Sequence, residues 1–450
     1  MHALTRSLGE FAAGFRSAPA AATATALTGI TDAVGLMLAA AHEPVVRAIE
    51  AGFAGPAPAS GRASLLLSGR YARVEDAALL NAVAAHAFAM DDVAAGCHPS
   101  AILMPALLAQ AEAIGASGER MLRAYVVGYE ILAELAEREP DALHATGWHP
   151  TGVLGPVAVA GAVANLQQLD AEQCTRALAI AASMSGGLIA NFGTQAKALH
   201  AGRTAQAGVL AARWAAAGVT ASIDALESAT GLLPTLSPAG RVDLDTPFAR
   251  DADALRIVSE GLSIKKYPVC YSTHRVVDAA ASVARQPGFA ADAIERVQVR
   301  IGSKQAWMAR NHTPQTPLEA KYSVEFAVAA GLLTGDAGFA QLEPAFIRSA
   351  AVQRLMAVVE LALDERANPE DPIFGPDDRV VVHLRGGTVL DSGDVRYARG
   401  HARLPLTEPD LRRKFLACVA SGARGDGQAL YSRLRALPHL ADVRLLTEPD

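Results

Sequence analysis

Long apolar stretches without charge alternate with short polar clusters along this chain, and both parts of the pattern carry information. Three stretches, Val93 to Ala111, Pro150 to Leu169 and Ala177 to Ala196, contain no Asp, Glu, Lys or Arg. Each approaches the ~20 residues that a membrane-spanning helix needs. Each is also interrupted by residues a lipid-facing helix uses sparingly: His98 and Pro99; Pro156, Asn165 and Gln167; Gly186, Gly187 and Asn191. Small residues dominate all three and let helix backbones approach closely, so they are expected as central helices buried by other helices, with no membrane partner. Between them, Leu122, Tyr125, Tyr129 and Leu132 recur at helical spacing in a segment opening near Ser117 and closing before Pro140. Asp170 with Gln173 makes a capping-box start, and Thr204 to Ala217 is again helical in pattern.

The pattern changes after Ser263. Val297, Val299 and Ile301 alternate with Gln298 and Arg300, the period of a strand. Val380 to Leu384, Gly386-Gly387 and Thr388 to Leu390 predict a hairpin with a two-glycine turn, and Val358 to Leu363 a further strand. Arg275 to Ala284 and Ser323 to Leu333 are helical in pattern, and Thr407-Glu408-Pro409 opens another helix. The expected fold is mainly α with an α+β second domain. Residues 1–262 and 397–450 together form the helical domain, and 263–396 the α+β one. A length of 450 residues suits two domains.

Composition narrows the function. The net charge of −6 is mild and no Lys/Arg run has the density of a nucleic-acid footprint. Cys97, Cys174, Cys270 and Cys418 form no Cys-x-x-Cys pair, which argues against structural zinc, an iron–sulfur cluster or a disulfide framework. Glu10 and Arg16 interrupt any export signal, so a reducing cytoplasm is the simplest setting. With no HExxH, Walker loop or GxSxG, no metal and no organic cofactor are expected.

Four polar clusters then stand out, because burying imidazole, ammonium or carboxylate is costly unless the group is paired or used. His98-Pro99-Ser100 places an imidazole at a helix start, where free amides attract anions. Asp91 and Asp92 read as solvated turn residues, the alternative being that they orient His98. His149, before Pro150, is either a general acid or base or a core histidine. Lys197 closes an uncharged stretch and shares a helix face with His200, three positions on, with Arg203 nearby; carboxylate binding or proton transfer is its expected task. Lys265 and Lys266 stand at the domain change as carboxylate ligands or as a basic hinge, followed by Cys270 and His274.

In order and spacing these clusters resemble the MmgE/PrpD family. The matching residues are His86-Ala87 with Asp91-Asp92, His98-Pro99-Ser100, Gly128-Tyr129-Glu130 and Gly147-Trp148-His149-Pro150-Thr151. Further on come Lys197-Ala198-Leu199-His200-Ala201-Gly202, Lys265-Lys266-Tyr267-Pro268 with His274, Ala320-Lys321-Tyr322-Ser323 and Pro405-Leu406-Thr407. The resemblance implies a helical domain built from both ends of the chain, a smaller α+β lid and a homodimer. It also implies cofactor-free chemistry on small polycarboxylates: 2-methylcitrate dehydration, cis-aconitate decarboxylation or iminodisuccinate epimerisation. His98, His149, Lys197 and Lys265 fall at its site positions. Two departures stand beside it. Ala89 occupies a position where the family's HAxDxDD run has aspartate, and Cys270 replaces a histidine of cis-aconitate decarboxylase. The expectation is a lyase with His149, His98 and Lys197 as catalytic groups. Lys265, Lys266, Asp91, His200, Arg203, Cys270 and His274 are the expected substrate contacts. An epimerase and a carboxylate-binding protein with a decayed catalytic set are the alternatives.

Overall fold

The computed structural model of the chain describes residues 3–53, 61–141, 143–248, 254–368, 374–422 and 425–447. The chain divides into two compact units, 1–263 with 408–450, and 264–407. It is mainly α, with an α+β second unit.

In the first unit the uncharged helix Pro150–Gln167 is buried along almost its whole length. It packs against Pro99–Ile114, Gly118–Arg138, Ala171–Ala182 and Ala196–Ala216. Two of the three uncharged stretches are therefore central helices, as their small residues imply. The third is not. Ala171–Ala182 ends at Ser183, and the chain runs on as an irregular segment in which Leu188 and Phe192 are exposed. Gly187 and Gly193 hold the positive φ angles of 152° and 84° that this course requires. A Cβ at Gly152 would lie 2.5 Å from the Gly186 carbonyl oxygen, so only glycine lets this segment lie on the start of the Pro150–Gln167 helix.

The segment Ala20–His42 is long and apolar enough to cross a membrane by length and composition, yet most of it is buried within the protein. Its Asp32 carboxylate meets the Lys414 ammonium at 2.6 Å, both side chains being buried. Lys414 also donates to the Met90 carbonyl, 3.1 Å away. The returning helix Glu408–Ser421 thereby holds the backbone next to Asp91. A second tie involves Gly118, whose added Cβ would stand 1.7 Å from the backbone oxygen of Leu437. Gly118→Ala is expected to lower stability by about 1–3 kcal/mol through that overlap; an unchanged denaturation midpoint would show that the contact is slack.

The second unit is built on a four-stranded mixed sheet. Ile294–Gly302 pairs in parallel with Val359–Asp364 and antiparallel with Arg379–Leu384, which pairs with Val389–Asp391. Val297, Val299 and Ile301 face the core, where His274–Val283 and Val324–Thr334 cover them. Gly386 and Gly387 form the predicted turn with φ of 91° and 84°. The chain returns to helix at Glu408, where Thr407-Glu408-Pro409 predicts it, and the second unit runs on to 407 rather than 396. Residues 399–400 belong to the second unit because Arg399 donates to Asp278 and to the Tyr267 hydroxyl, and the Ile264 amide donates to Gly400.

Candidate functional site

In the first unit His98 and His149 each stand immediately before a proline that opens a helix. Proline at the first helical position fixes the turn, so both imidazoles emerge at the starts of two helices packed together. The His98 amide donates to Thr151 Oγ1 at 3.1 Å, cross-linking the two starts. His86, the last residue of Val74–His86, brings a third ring. Ring centres lie 4.7 Å apart for His86 and His98, 5.8 Å for His86 and His149, and 6.0 Å for His98 and His149.

Asp91 organises this cluster and corrects the solvated-turn reading. It is buried, and one of its carboxylate oxygens, Oδ2, lies 2.8 Å from His86 Nδ1 and 3.0 Å from His98 Nδ1. His98 Nδ1 is also 2.8 Å from the Asp92 carbonyl. Both neighbours are acceptors, so His98 Nδ1 carries its hydrogen and Nε2 keeps the lone pair. Asp91 therefore positions the His86 and His98 imidazoles.

Asp92 is buried too. It accepts from the Ser100 amide at 3.1 Å and the Ser100 hydroxyl, which in turn meets the Tyr125 hydroxyl at 2.6 Å. The helix start expected to offer free amides to an anion is thus capped by the protein's own carboxyl. Burial pushes Asp92 up to about 7, against the lowering effect of the Ser100 hydroxyl.

Lys197 opens the Ala196–Ala216 helix and lies over the Phe192 ring, 5.1 Å from its centre. That ring meets His149 edge-on at 5.0 Å. His200, one turn on, places Nδ1 3.2 Å from His149 Nδ1. Arg203 is exposed and donates to Gln206. Six positions beyond Lys197 is about two-thirds of a further turn round the helix, so it leaves that face.

Burial drives the imidazoles toward neutrality. His86 is pushed down to about 3, with Asp91 opposing and Lys197 adding to the effect. His149 falls well below the ordinary histidine range, chiefly through burial and then through His86, His98 and Lys197. His200 is lowered by burial and Lys197. The arrangement is a set of neutral imidazoles beside an ammonium, suited to receiving an anion and a proton together.

The remaining candidates lie in the second unit. Lys266 Nζ donates to the Tyr267 hydroxyl at 3.1 Å, and that hydroxyl donates to Asp278 at 2.7 Å. Lys265 lies between Lys266 and Ile264. Cys270 Sγ is 3.0 Å from Ser272 Oγ. His274 is a core histidine: fully buried, 3.3 Å from the Val269 carbonyl through Nε2, with Tyr267 and Tyr271 packed edge-on against it. A cavity of about 240 Å³ in this unit includes Tyr271, Arg275, Phe374 and Tyr397 in its wall. Its Arg275 guanidinium is committed to Asp378, Gln305 and the Gly375 carbonyl.

His86 and Ser100 stand among the residues that carry the family resemblance but were given no role in the site, and Tyr125 and Phe192 were left out of it. A histidine in the apolar run Asn81 to Met90 with two aspartates directly after it was a further signal for His86.

Residues 6–245 match the MmgE/PrpD N-terminal domain and residues 267–430 the MmgE/PrpD C-terminal domain. Cis-aconitate decarboxylase of Mus musculus is 30% identical over 386 residues, spanning 82% of this chain and 77% of that protein. The Homo sapiens enzyme is 30% identical over 394 residues, 82% of this chain and 78% of its own. A cis-aconitate decarboxylase-like protein of Aspergillus oryzae is 25% identical over 393 residues. With both halves matched in order and the paired histidine-proline helix starts in place, the chain belongs to the MmgE/PrpD family.

Proposed function

We propose that the protein is a cofactor-independent lyase of a small di- or tricarboxylate, acting either by loss of water once a proton next to a carboxylate is removed, or by loss of carbon dioxide, which leaves an electron pair on carbon that takes up a proton. The observation that carries this reading is the neutral, buried His149 imidazole beside Lys197, with two further imidazoles held by Asp91. Similarity to cis-aconitate decarboxylases supports the substrate class. Burial, then the neighbouring rings and Lys197, hold proton affinity at His149 down. A bound carboxylate offsets Lys197, so the substrate itself raises the affinity of His149 for the proton it is to take. Neutralising the carboxylate also stabilises charge developing on the adjacent carbon. His98, with Nδ1 fixed by Asp91 and the Asp92 carbonyl, presents its Nε2 lone pair to accept a hydrogen bond from a substrate hydroxyl and so orient the substrate.

The test is incubation with 2-methylcitrate, citrate, cis-aconitate and iminodisuccinate in D₂O, followed by proton NMR. New alkene signals from a saturated substrate without release of carbon dioxide mean dehydration, and carbon dioxide release, read by a separate bicarbonate assay, means decarboxylation. Deuterium exchange without product redirects the reading to epimerisation; binding with neither exchange nor product overturns enzymatic function. Lys197→Met is expected to lower kcat/KM by about 10–100-fold, the worth of one charge-assisted contact. A change under twofold would remove Lys197 from the carboxylate site.

A further inference from the structure

The Nε2 atoms of His86 and His149 are buried and have no hydrogen-bond partner among the described residues. Leaving a buried polar nitrogen unmatched is costly, so native proteins seldom keep two in one place without an ion or water opposite them. One nitrogen from each of His86, His98 and His149 lies within 4.8 Å of the other two. Three imidazoles around a tetrahedral zinc ion, each nitrogen at about 2.0–2.1 Å, have ring centres roughly 5 Å apart. The observed separations of 4.7, 5.8 and 6.0 Å bracket that figure and close with small side-chain movements. Asp91 behind two of the rings is the carboxylate that metal-binding histidines commonly carry on their second nitrogen.

We propose that His86, His98 and His149 bind one divalent transition-metal ion of the zinc class through Nε2, with Asp91 orienting two of the ligands and a fourth position open. Such an ion takes the lone pair that His149 needs for proton transfer, so the loaded form is a blocked form of the site. Lys197 opposes positive charge at His86 and His149 and keeps the affinity below that of a dedicated metal centre. The inference uses the same side chains as the proposed reaction without depending on that reaction.

The experiment is a zinc titration of the chelator-stripped full-length chain, with X-ray absorption of the loaded protein and the visible spectrum of its cobalt form. One ion per chain is expected, bound by imidazole nitrogen at about 2.0–2.1 Å with no sulfur at about 2.3 Å. Asp91→Asn should weaken binding about 10–100-fold. His86→Ala and His149→Ala should weaken it at least as much, and Lys197→Met should tighten it. The two spectra on the unaltered chain need no variant to fold. Absence of stoichiometric binding, a sulfur ligand, or His86→Ala and His149→Ala proteins that bind as the parent does would each overturn the site. Turnover by a stripped chain that takes up no zinc rejects this inference alone. Zinc uptake through nitrogen with no turnover of any polycarboxylate rejects only the proposed reaction.

Discussion

Replacing His149 by alanine lowers turnover of the polycarboxylate by about 10²–10⁴-fold, the usual contribution of one well-placed acid or base. His149→Gln should lose as much while filling more of the space, which separates loss of the proton acceptor from loss of packing. Turnover within a few-fold of the parent in either variant would remove His149 from the reaction. The pH dependence supplies a second check. His149 is held below the ordinary histidine range by burial, then by His86, His98 and Lys197. A depressed value means the neutral, proton-accepting form persists as pH falls past the unperturbed value of about 6.5. The acid limb of kcat/KM for this group therefore lies below 6.5, and it moves up when Lys197 is replaced by methionine. A limb that stays at the ordinary value in both proteins contradicts the electrostatic account.

The largest expected effect on stability belongs to Arg275. Its guanidinium donates to both carboxylate oxygens of Asp378, at 3.1 and 2.8 Å, and also to Gln305 and to the Gly375 and Arg396 carbonyls. Both side chains of the ion pair are buried. Arg275→Met strands the Asp378 carboxylate together with its neighbouring acceptors, and removing one partner of a buried pair costs about 3–5 kcal/mol. Chemical denaturation measures this, and Arg275→Met/Asp378→Leu should recover most of the loss. The sign with pH is also fixed. Burial pushes Asp378 up to about 7 while Arg275 pulls it down, so without Arg275 it rises further. A carboxyl raised above its unfolded value contributes stability below that value and loses it as pH rises through the folded one. The variant is therefore less impaired at pH 5 than at pH 8; equal impairment at both would show that Asp378 stays charged or finds another cation.

Much of the architecture was legible because each element leaves its own period in the chain. Val297, Val299 and Ile301 alternate with polar neighbours and are the buried face of a strand. Asp170 and Gln173 form the capping box their spacing predicts. The glycine pair at 386–387 makes the hairpin turn. Pattern failed where composition does not distinguish a helix from an irregular strap. Ala177 to Ala196 is as apolar as Pro150 to Leu169, and what separates them is contact: the Gly186 carbonyl lies against Gly152, a residue far away along the chain.

At the candidate site the sequence by itself determined which chemical groups are present and which of them begin helices: His98 and His149 before their prolines, and Lys197 with His200 on one turn. Only the tertiary structure decided what those groups face. It turned Asp91 and Asp92 inward, joined His86 to them, removed Arg203 from the cluster and placed His274 in a core. The reason is that helix periodicity and capping act over a few residues. The partner of a buried polar group is instead set by which distant segments meet, as when Lys414 reaches back to hold the carbonyl of Met90.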